Sequence, residues 1–133
     1  MRQAISRSEA REVAFRLIFA LGQGSALDST AWELALDGRT APGPEQQYIN
    51  QVLDAFQTQR AEIDTKISAH LQKWTMERLR QTDLAVLRLA AAEMALGHVP
   101  VPVIINEAVS LAKKYGDQPS GAFVNGVLGK LAE

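Results

Sequence analysis

An all-α fold, a compact bundle of about seven helices in two subgroups, is what the sequence predicts, and three observations carry that expectation. Ala, Leu, Gln, Glu and Arg are abundant while aromatics make up only 6% of the chain, a balance that favours helix over strand. Apolar residues recur at helical spacing in segment after segment. The stretch from Thr82 to Leu96 (TDLAVLRLAAAEMAL) is apolar almost all the way round, with Arg88 and Glu93 its only charges after Asp83. These two do not share one helical face, so a helix here is covered by protein on most sides and is expected at the centre of the bundle.

A chain of 133 residues is large enough for one core, and a single domain over residues 1–133 is expected. Hydrophobic residues at 47% and charged residues at 22% place it with ordered globular proteins rather than disordered ones. The absence of cysteine excludes a disulfide framework and a thiolate metal site. No apolar run approaches membrane-spanning length, and Arg7, Glu9, Arg11 and Glu12 interrupt the N-terminus too early for a signal peptide, so a cytoplasmic protein without membrane contact is expected. A net charge of -1 argues against a strong stand-alone nucleic-acid binder. The charge is uneven, however: residues 1–20 carry four Arg against two Glu, and residues 21–60 two Arg against five acids. Any anion-binding surface should therefore involve the first helix.

That helix is predicted from a cap at Ser6 or Ser8 to about Leu21, where Gly22, Gly24 and Ser25 stop it. Ala10, Val13, Ala14, Leu17, Ile18 and Leu21 form its core stripe. Arg11, Phe15 and Phe19, at i, i+4 and i+8, line the border of that face. An arginine in line with two aromatics offers a phosphate contact and flat surfaces for unpaired bases; equally, both Phe residues can simply widen the core. Leu27 to Leu36 reads as a short helix capped near Asp28 or Ser29, and Gly38 to Pro44 as a turn-rich loop. Tyr48, Ile49, Val52, Leu53 and Phe56 continue a helix from Pro44, and Ile63, Ile67, Leu71 and Trp74 make another. The basic residues 66, 73, 78 and 80 read as a solvated face. Thr82 or Asp83 is expected to cap the central helix, with Asp83 exposed, and Gly97 to end it. Pro100 and Pro102 force an extended link into a helix carrying Ile104, Ile105, Ala108, Leu111, Ala112 and Tyr115. Asp117 is expected to cap a last helix with Phe123, Val124, Val127, Leu128 and Leu131. Gly121, Gly126 and Gly129 weaken that helix, by about 1 kcal/mol each where internal, which suggests close approach of another backbone.

Catalytic motifs do not appear. The sequence has no phosphate-binding glycine loop, GxSxG turn or HExxH pair, and His70 and His98 lie far apart without ligand partners. Arg88, Glu93 and Glu107 are the charges expected to be buried, and a structural ion-pair network fits them better than an acid/base site, because nothing completes a catalytic set.

LRLAAAEM, VPVPVIINEAVSLAKKYG and FVNGVLGKL together resemble the C-terminal half of the NusB family of bacterial transcription antitermination factors, and AREVAFRLIFAL is similar to that family's opening helix. The likeness spans nearly the whole chain and is weakest from about Gly22 to Gln81; its specificity lies in the combination of LR, INEA, LAK and FVNG at these separations. The resemblance implies an all-helical fold, no catalysis and no cofactor. It also implies binding of the boxA RNA of ribosomal RNA leader transcripts together with ribosomal protein S10 (NusE), in an antitermination complex with RNA polymerase and other Nus factors. The family's arginine-rich RNA-binding segment maps to Arg7 and Arg11, with Arg2 as an assistant and Arg16 standing where the family often has Gln. Phe15 joins this set through the stacking reading. Phe19 and Asp83 match positions associated with the S10 contact, and Phe123 with its approach from Gln118 to Ala122 matches a region near the RNA. The surface so implied has Asp83 at one end and the Gln118 to Phe123 turn at the other, completed by Arg7, Arg11 and Phe19.

Three departures stand out. SRSEAR dilutes the arginine run with Ser8 and Glu9, which predicts weak RNA binding by the isolated chain, since each lost phosphate contact removes salt-dependent affinity. Phe19 lacks the hydroxyl of the family's common Tyr, and Pro119 stands where some relatives have an acid. Two other readings remain at this level: a detached RNA-binding module like that at the N-terminus of ribosomal RNA cytosine methyltransferases, unable to methylate without a Rossmann-like segment or a cysteine nucleophile, and a dimeric interaction protein without RNA binding. A monomer and a homodimer are both compatible with the sequence.

Overall fold

In a computed structural model the described residues are 2–72 and 75–133, which leaves Trp74 of the predicted fourth stripe and Lys73 of the predicted basic face outside them. They form α1 (Arg7–Gly22), α2 (Ser29–Leu36), α3 (Gly43–Thr58), α4 (Arg60–Ala69), a 3-10 turn (Met76–Arg78), α5 (Gln81–Leu96), α6 (Val101–Tyr115) and α7 (Ser120–Leu131). The all-α expectation holds: among the described residues the sole extended pairing is an isolated bridge between Ala4 and Thr40. Through it the Thr40 N–H donates to the Gln3 carbonyl and the Ile5 N–H to the Thr40 carbonyl, both at 2.9 Å, which ties the N-terminal segment to the predicted Gly38 to Pro44 loop.

Local signals explain most helix ends. Ser6, the first of the two expected caps, forms a reciprocal capping box with Glu9: its Oγ accepts from the Glu9 N–H at 3.2 Å, and Glu9 Oε1 accepts from the Ser6 N–H at 2.9 Å. Asp28 caps α2, Pro44 occupies the first turn of α3, and Gly97 closes α5 in the left-handed region at φ 71°. Two starts differ from expectation. α5 begins at Gln81 behind an extended Arg80, so Thr82 and Asp83 lie inside its first turn instead of capping it. α7 begins at Ser120 behind Pro119, whose fixed φ of -79° already suits a helix start, so Asp117 is not its cap.

α5 is the hub, with every residue from Asp83 to Glu93 buried and with α1, α3, α4, α6 and α7 packed against it. It is shared by two subgroups, one of α1, α2 and α3 and the other of α6 and α7. Phe56, Leu17, Ile49, Ile67, Leu87 and Leu128 are among the large side chains that fill the space between them. α1 and α5 run antiparallel, because Arg11 meets Glu93 at one end and Gln23 meets Gln81 at the other.

The glycines of α7 do not mediate a close backbone approach. A Cβ at Gly126 or Gly129 meets nothing within 4 Å, and one at buried Gly121 meets the flexible Lys113 side chain at 3.1 Å. Gly126→Ala is therefore expected to stabilise the protein by about 1 kcal/mol through helix propensity alone. A urea midpoint unchanged or lowered in that variant contradicts this.

Candidate nucleic-acid and partner interface

At the N-terminal end of α1, four helices converge on a buried ion network. Arg11 is 5% exposed. Its Nε donates to both Glu93 oxygens, at 2.9 and 3.2 Å, and its second nitrogen reaches Glu107 Oε1 at 3.3 Å. The Tyr48 hydroxyl donates to Glu93 Oε1 at 2.6 Å, and Ser8 Oγ donates to Glu107 at 2.7 Å. Burial and the neighbouring Glu93 charge push the Tyr48 phenol far above its usual range, so it stays a donor. The expected burial of Arg88 and Glu93 holds, with Arg88 forked onto Asp64 at 2.9 Å twice, while Glu107 is only partly covered. Arg11 itself was expected at the border of the core and available to phosphate. It is instead consumed by carboxylates from α5 and α6 and is inaccessible. Arg7, one turn earlier, remains on the surface at 44% side-chain exposure, stacked 4.6 Å above the Tyr48 ring and paired with Glu45 at 3.0 Å.

Midway along α1 the core reading holds for Phe15, which is 2% exposed and packs 4.7 Å from the Tyr115 ring, so it offers no face to a base. Arg16 is half-buried. Its Nε and one terminal nitrogen donate to the Tyr115 hydroxyl at 3.1 and 2.9 Å, and the other to the Ala35 carbonyl at 3.1 Å. Tyr115 in turn donates to Glu12, which also pairs with Lys114 at 2.8 Å. Burial alone would raise the Glu12 carboxyl, but the Lys114 and Tyr115 donors hold it below its ordinary value. Phe19 is partly buried against the edge of the core.

The opposite end of α5 holds a groove of about 360 Å³ between the first turn of α5 and the start of α7, with Arg78, Leu79, Arg80, Pro119 and Phe123 around Asp83. Asp83, expected to be exposed, is only 6% so, because it lies within the first turn of α5 against Ser120 at the start of α7. Its Oδ2 lies 3.2 Å from Ser120 Oγ, while Oδ1 has no partner. Burial pushes this carboxyl up, Ser120 opposes, the Asp117 charge adds to the rise and Arg80 lowers it. Arg80 is ion-paired with Asp117 across the groove. Gln118 is exposed beside it, and the half-buried Phe123 forms part of its wall and of a second groove with His70 and Lys130.

The residues therefore group differently from the arrangement expected. Asp83 and the segment from Gln118 to Phe123, a turn leading into α7, form one end of the molecule together, with the C-terminal end of α1 beside them through Gln23 and Gln81. Arg7 and Arg11 lie at the other end of α5, about 15 Å away at 1.5 Å per helical residue. Arg2 is exposed in the segment before the Ala4 bridge. Sequence reasoning overlooked Tyr48 as a polar anchor, although a tyrosine in a core stripe needs a partner for its hydroxyl. It also overlooked Ser120 and read Arg78 and Arg80 only as solvated charge. No helix among the described residues is long and apolar enough to cross a membrane.

Comparison with known proteins places this arrangement. The model of the NusB family matches residues 8–133. The transcription antitermination protein NusB of Geobacillus kaustophilus (strain HTA426) is 41% identical over 128 residues, covering 96% of this chain and 95% of its own. That of Sorangium cellulosum (strain So ce56) is 41% identical over 131 residues, covering 96% and 92%. Among solved structures, T. maritima NusB superposes with a TM-score of 0.85 at 32% identity, covering 99% of this chain and 92% of that one. One chain of a crystal structure of antitermination factors NusB and NusE in complex with dsRNA gives 0.82 at 26% identity, covering 94% of each. With the fold, nearly the full length and the sequence all matched, the chain belongs to the NusB family of transcription antitermination proteins.

Proposed function

We propose that this chain is a transcription antitermination factor that binds the boxA RNA of ribosomal RNA leader transcripts together with ribosomal protein S10 (NusE), within an RNA polymerase complex containing other Nus factors. The observation that carries this reading is its likeness to a chain of the solved complex of NusB, NusE and dsRNA, over 94% of both chains. The accessible cations and the half-buried aromatic supply the chemistry. Arg2 and Arg7 present guanidinium groups to phosphate, with Arg16 contributing what its Tyr115 contacts leave free. Gln118 and Phe123 offer an amide and a ring edge to unpaired bases at the far end. Arg11 and Phe15 act behind this surface by fixing α1 against α5 and α6. Phe19 and Asp83, at the end of α5 nearer Phe123, are assigned to S10.

Gel-shift titration of boxA-like and scrambled RNA, with and without S10 and at several salt concentrations, tests the reading. S10 is expected to tighten the boxA complex selectively. Arg7→Ala is expected to weaken it and to reduce the slope of log affinity against log salt by about 0.7 to 0.9, the value of one phosphate contact. If S10 neither binds the chain nor tightens the RNA complex, the reading fails. An unaltered salt slope in Arg7→Ala moves the phosphate contact elsewhere.

A further inference from the structure

Cations around the N-terminal half of α1 are neutralised from within the chain. Arg39 pairs with Glu9 at 2.9 Å, Lys114 with Glu12 at 2.8 Å and Arg7 with Glu45 at 3.0 Å. The Arg7 pair joins two segments that are tied to each other. The strand-like stretch leading into Arg7 is bridged to the loop leading into Glu45 through Ala4 and Thr40, and Pro44 stiffens the first turn of α3, where Glu45 lies. One turn further along α3, Tyr48, its hydroxyl fixed on Glu93, presents its ring to the Arg7 guanidinium at 4.6 Å. Arg7 is thus held by a carboxylate and a ring while keeping 44% side-chain exposure. Geometry decides what this does to an incoming phosphate. A guanidinium offers phosphate two parallel N–H bonds along the edge of Nε and Nη2 or along that of Nη1 and Nη2. Arg88 uses the first edge on Asp64, with both bonds at 2.9 Å. Nη2 is common to both edges, and on Arg7 it is the atom that donates to Glu45 Oε2. A phosphate on either edge therefore shares Nη2 with the carboxylate, which brings two anions to about 5 Å at ordinary hydrogen-bond lengths. Like charges so close repel, so the full contact forms only when Glu45 leaves.

We propose that Glu45 is a built-in competitor of RNA for Arg7, seated on the guanidinium in the free chain and displaced from it by a phosphate of the bound RNA. This rests on Arg7 as a phosphate contact in the RNA-binding reading. No covalent bond changes; one anion replaces another on Nη2, and the Glu45 side chain, 19% exposed in the pair, turns to solvent. The exchange is a second cause of weak RNA binding by the isolated chain, beside the dilution of the arginine run by Ser8 and Glu9. Its size is limited by what an exposed ion pair is worth, so removing the Glu45 charge raises RNA affinity by about two- to fivefold.

Glu45→Gln keeps the length and helix propensity of the side chain and removes its charge. Gel-shift titration of the full chain with boxA-like RNA in the presence of S10, at about 0.1 M salt, is expected to show the two- to fivefold gain in this variant. In an Arg7→Ala background the same substitution is expected to change affinity little. Glu62→Gln is the control for net charge: it removes an exposed acid in the first turn of α4, about 20 Å from Glu45 along α3 and beyond the screening length of about 10 Å, and is expected to leave affinity nearly unchanged. An affinity unchanged or lowered by Glu45→Gln, while Arg7→Ala weakens binding, overturns the competition and leaves the RNA reading in place. An equal gain in the Arg7→Ala background or in Glu62→Gln assigns the effect to net charge and overturns it likewise. If the folded chain binds no RNA even with S10, the RNA reading and the competition fall together.

Discussion

Replacing Arg11 by alanine is expected to destabilise the protein by about 3–5 kcal/mol, the range seen when one member of a buried ion pair is removed. The magnitude follows from what is left behind. Glu93 keeps 3% side-chain exposure, and it loses the two Nε contacts that compensate its charge. The Tyr48 hydroxyl remains at 2.6 Å, but one neutral donor cannot replace a guanidinium in a site closed to water. Such a loss is a large part of a typical domain stability of about 5–15 kcal/mol. Glu107, at 27% side-chain exposure, falls back on Ser8 and solvent, so it contributes less to the deficit.

A double-mutant cycle separates the pair from its surroundings. Arg11→Met with Glu93→Gln removes both charges while keeping much of the volume, and it is expected to recover a substantial fraction of the loss. Urea denaturation followed by circular dichroism gives the four free energies. A cost below about 1 kcal/mol for the single variant would show that Glu93 finds another partner. The same variant tests the assignment of Arg11 to the interior. Full stability with a loss of RNA affinity returns this residue to the phosphate surface, whereas a loss of both, restored together by the double variant, identifies it as a support.

Arg11 also shows what the sequence could convey. Its position on the border of the α1 stripe was legible from helical period alone, and so was the central place of α5, because both follow from local spacing. The partners of Arg11 were not legible, since Glu93 and Glu107 follow 82 and 96 residues later and their approach depends on how α5 and α6 pack. Buried charges at 88 and 93 were correctly expected, but an exposed Arg11 and a buried one have the same sequence. Asp83 illustrates a different gap. Thr82 and Asp83 both carry a capping side chain, yet α5 starts at Gln81 without using either, and Asp83 falls within the first turn, against Ser120 of α7. Asp117 was displaced as a cap by Pro119 in the same way. The candidate surface inherits both kinds of gap. Arg7, Gln118 and Phe123 are accessible as the motifs implied, but the α5 axis separates them into two ends of the molecule.

Asp83→Asn is expected to raise the stability of the free chain at pH 7 by about 1–3 kcal/mol, the usual cost of a buried polar group without a partner. The direction comes from the carboxyl's environment. Burial is the main influence that favours its protonated form, with the Asp117 charge assisting, so its folded-state pKa exceeds that of the unfolded chain. A carboxylic acid with a raised folded pKa binds more protons when folded. Its cost is therefore absent below the unfolded value of about 3.9, grows as pH climbs through the folded value, and is complete above it. Asparagine does not titrate, so the advantage of the variant should vanish near pH 3 and grow as pH rises through the folded value of Asp83. Glu12 works in the other sense, since Lys114 and Tyr115 hold its carboxyl low despite burial; its contribution is present above the unfolded carboxylate value and fades as pH falls. Subtracting the wild-type curve from that of the variant cancels Glu12 and leaves Asp83. A flat difference between pH 3 and 7 would mean that Asp83 ionises as easily folded as unfolded, and a variant less stable than wild type at pH 7 would mean that the carboxylate is satisfied in the free chain. If the rise is seen, position 83 keeps at a measurable cost in stability a charge that the fold does not need.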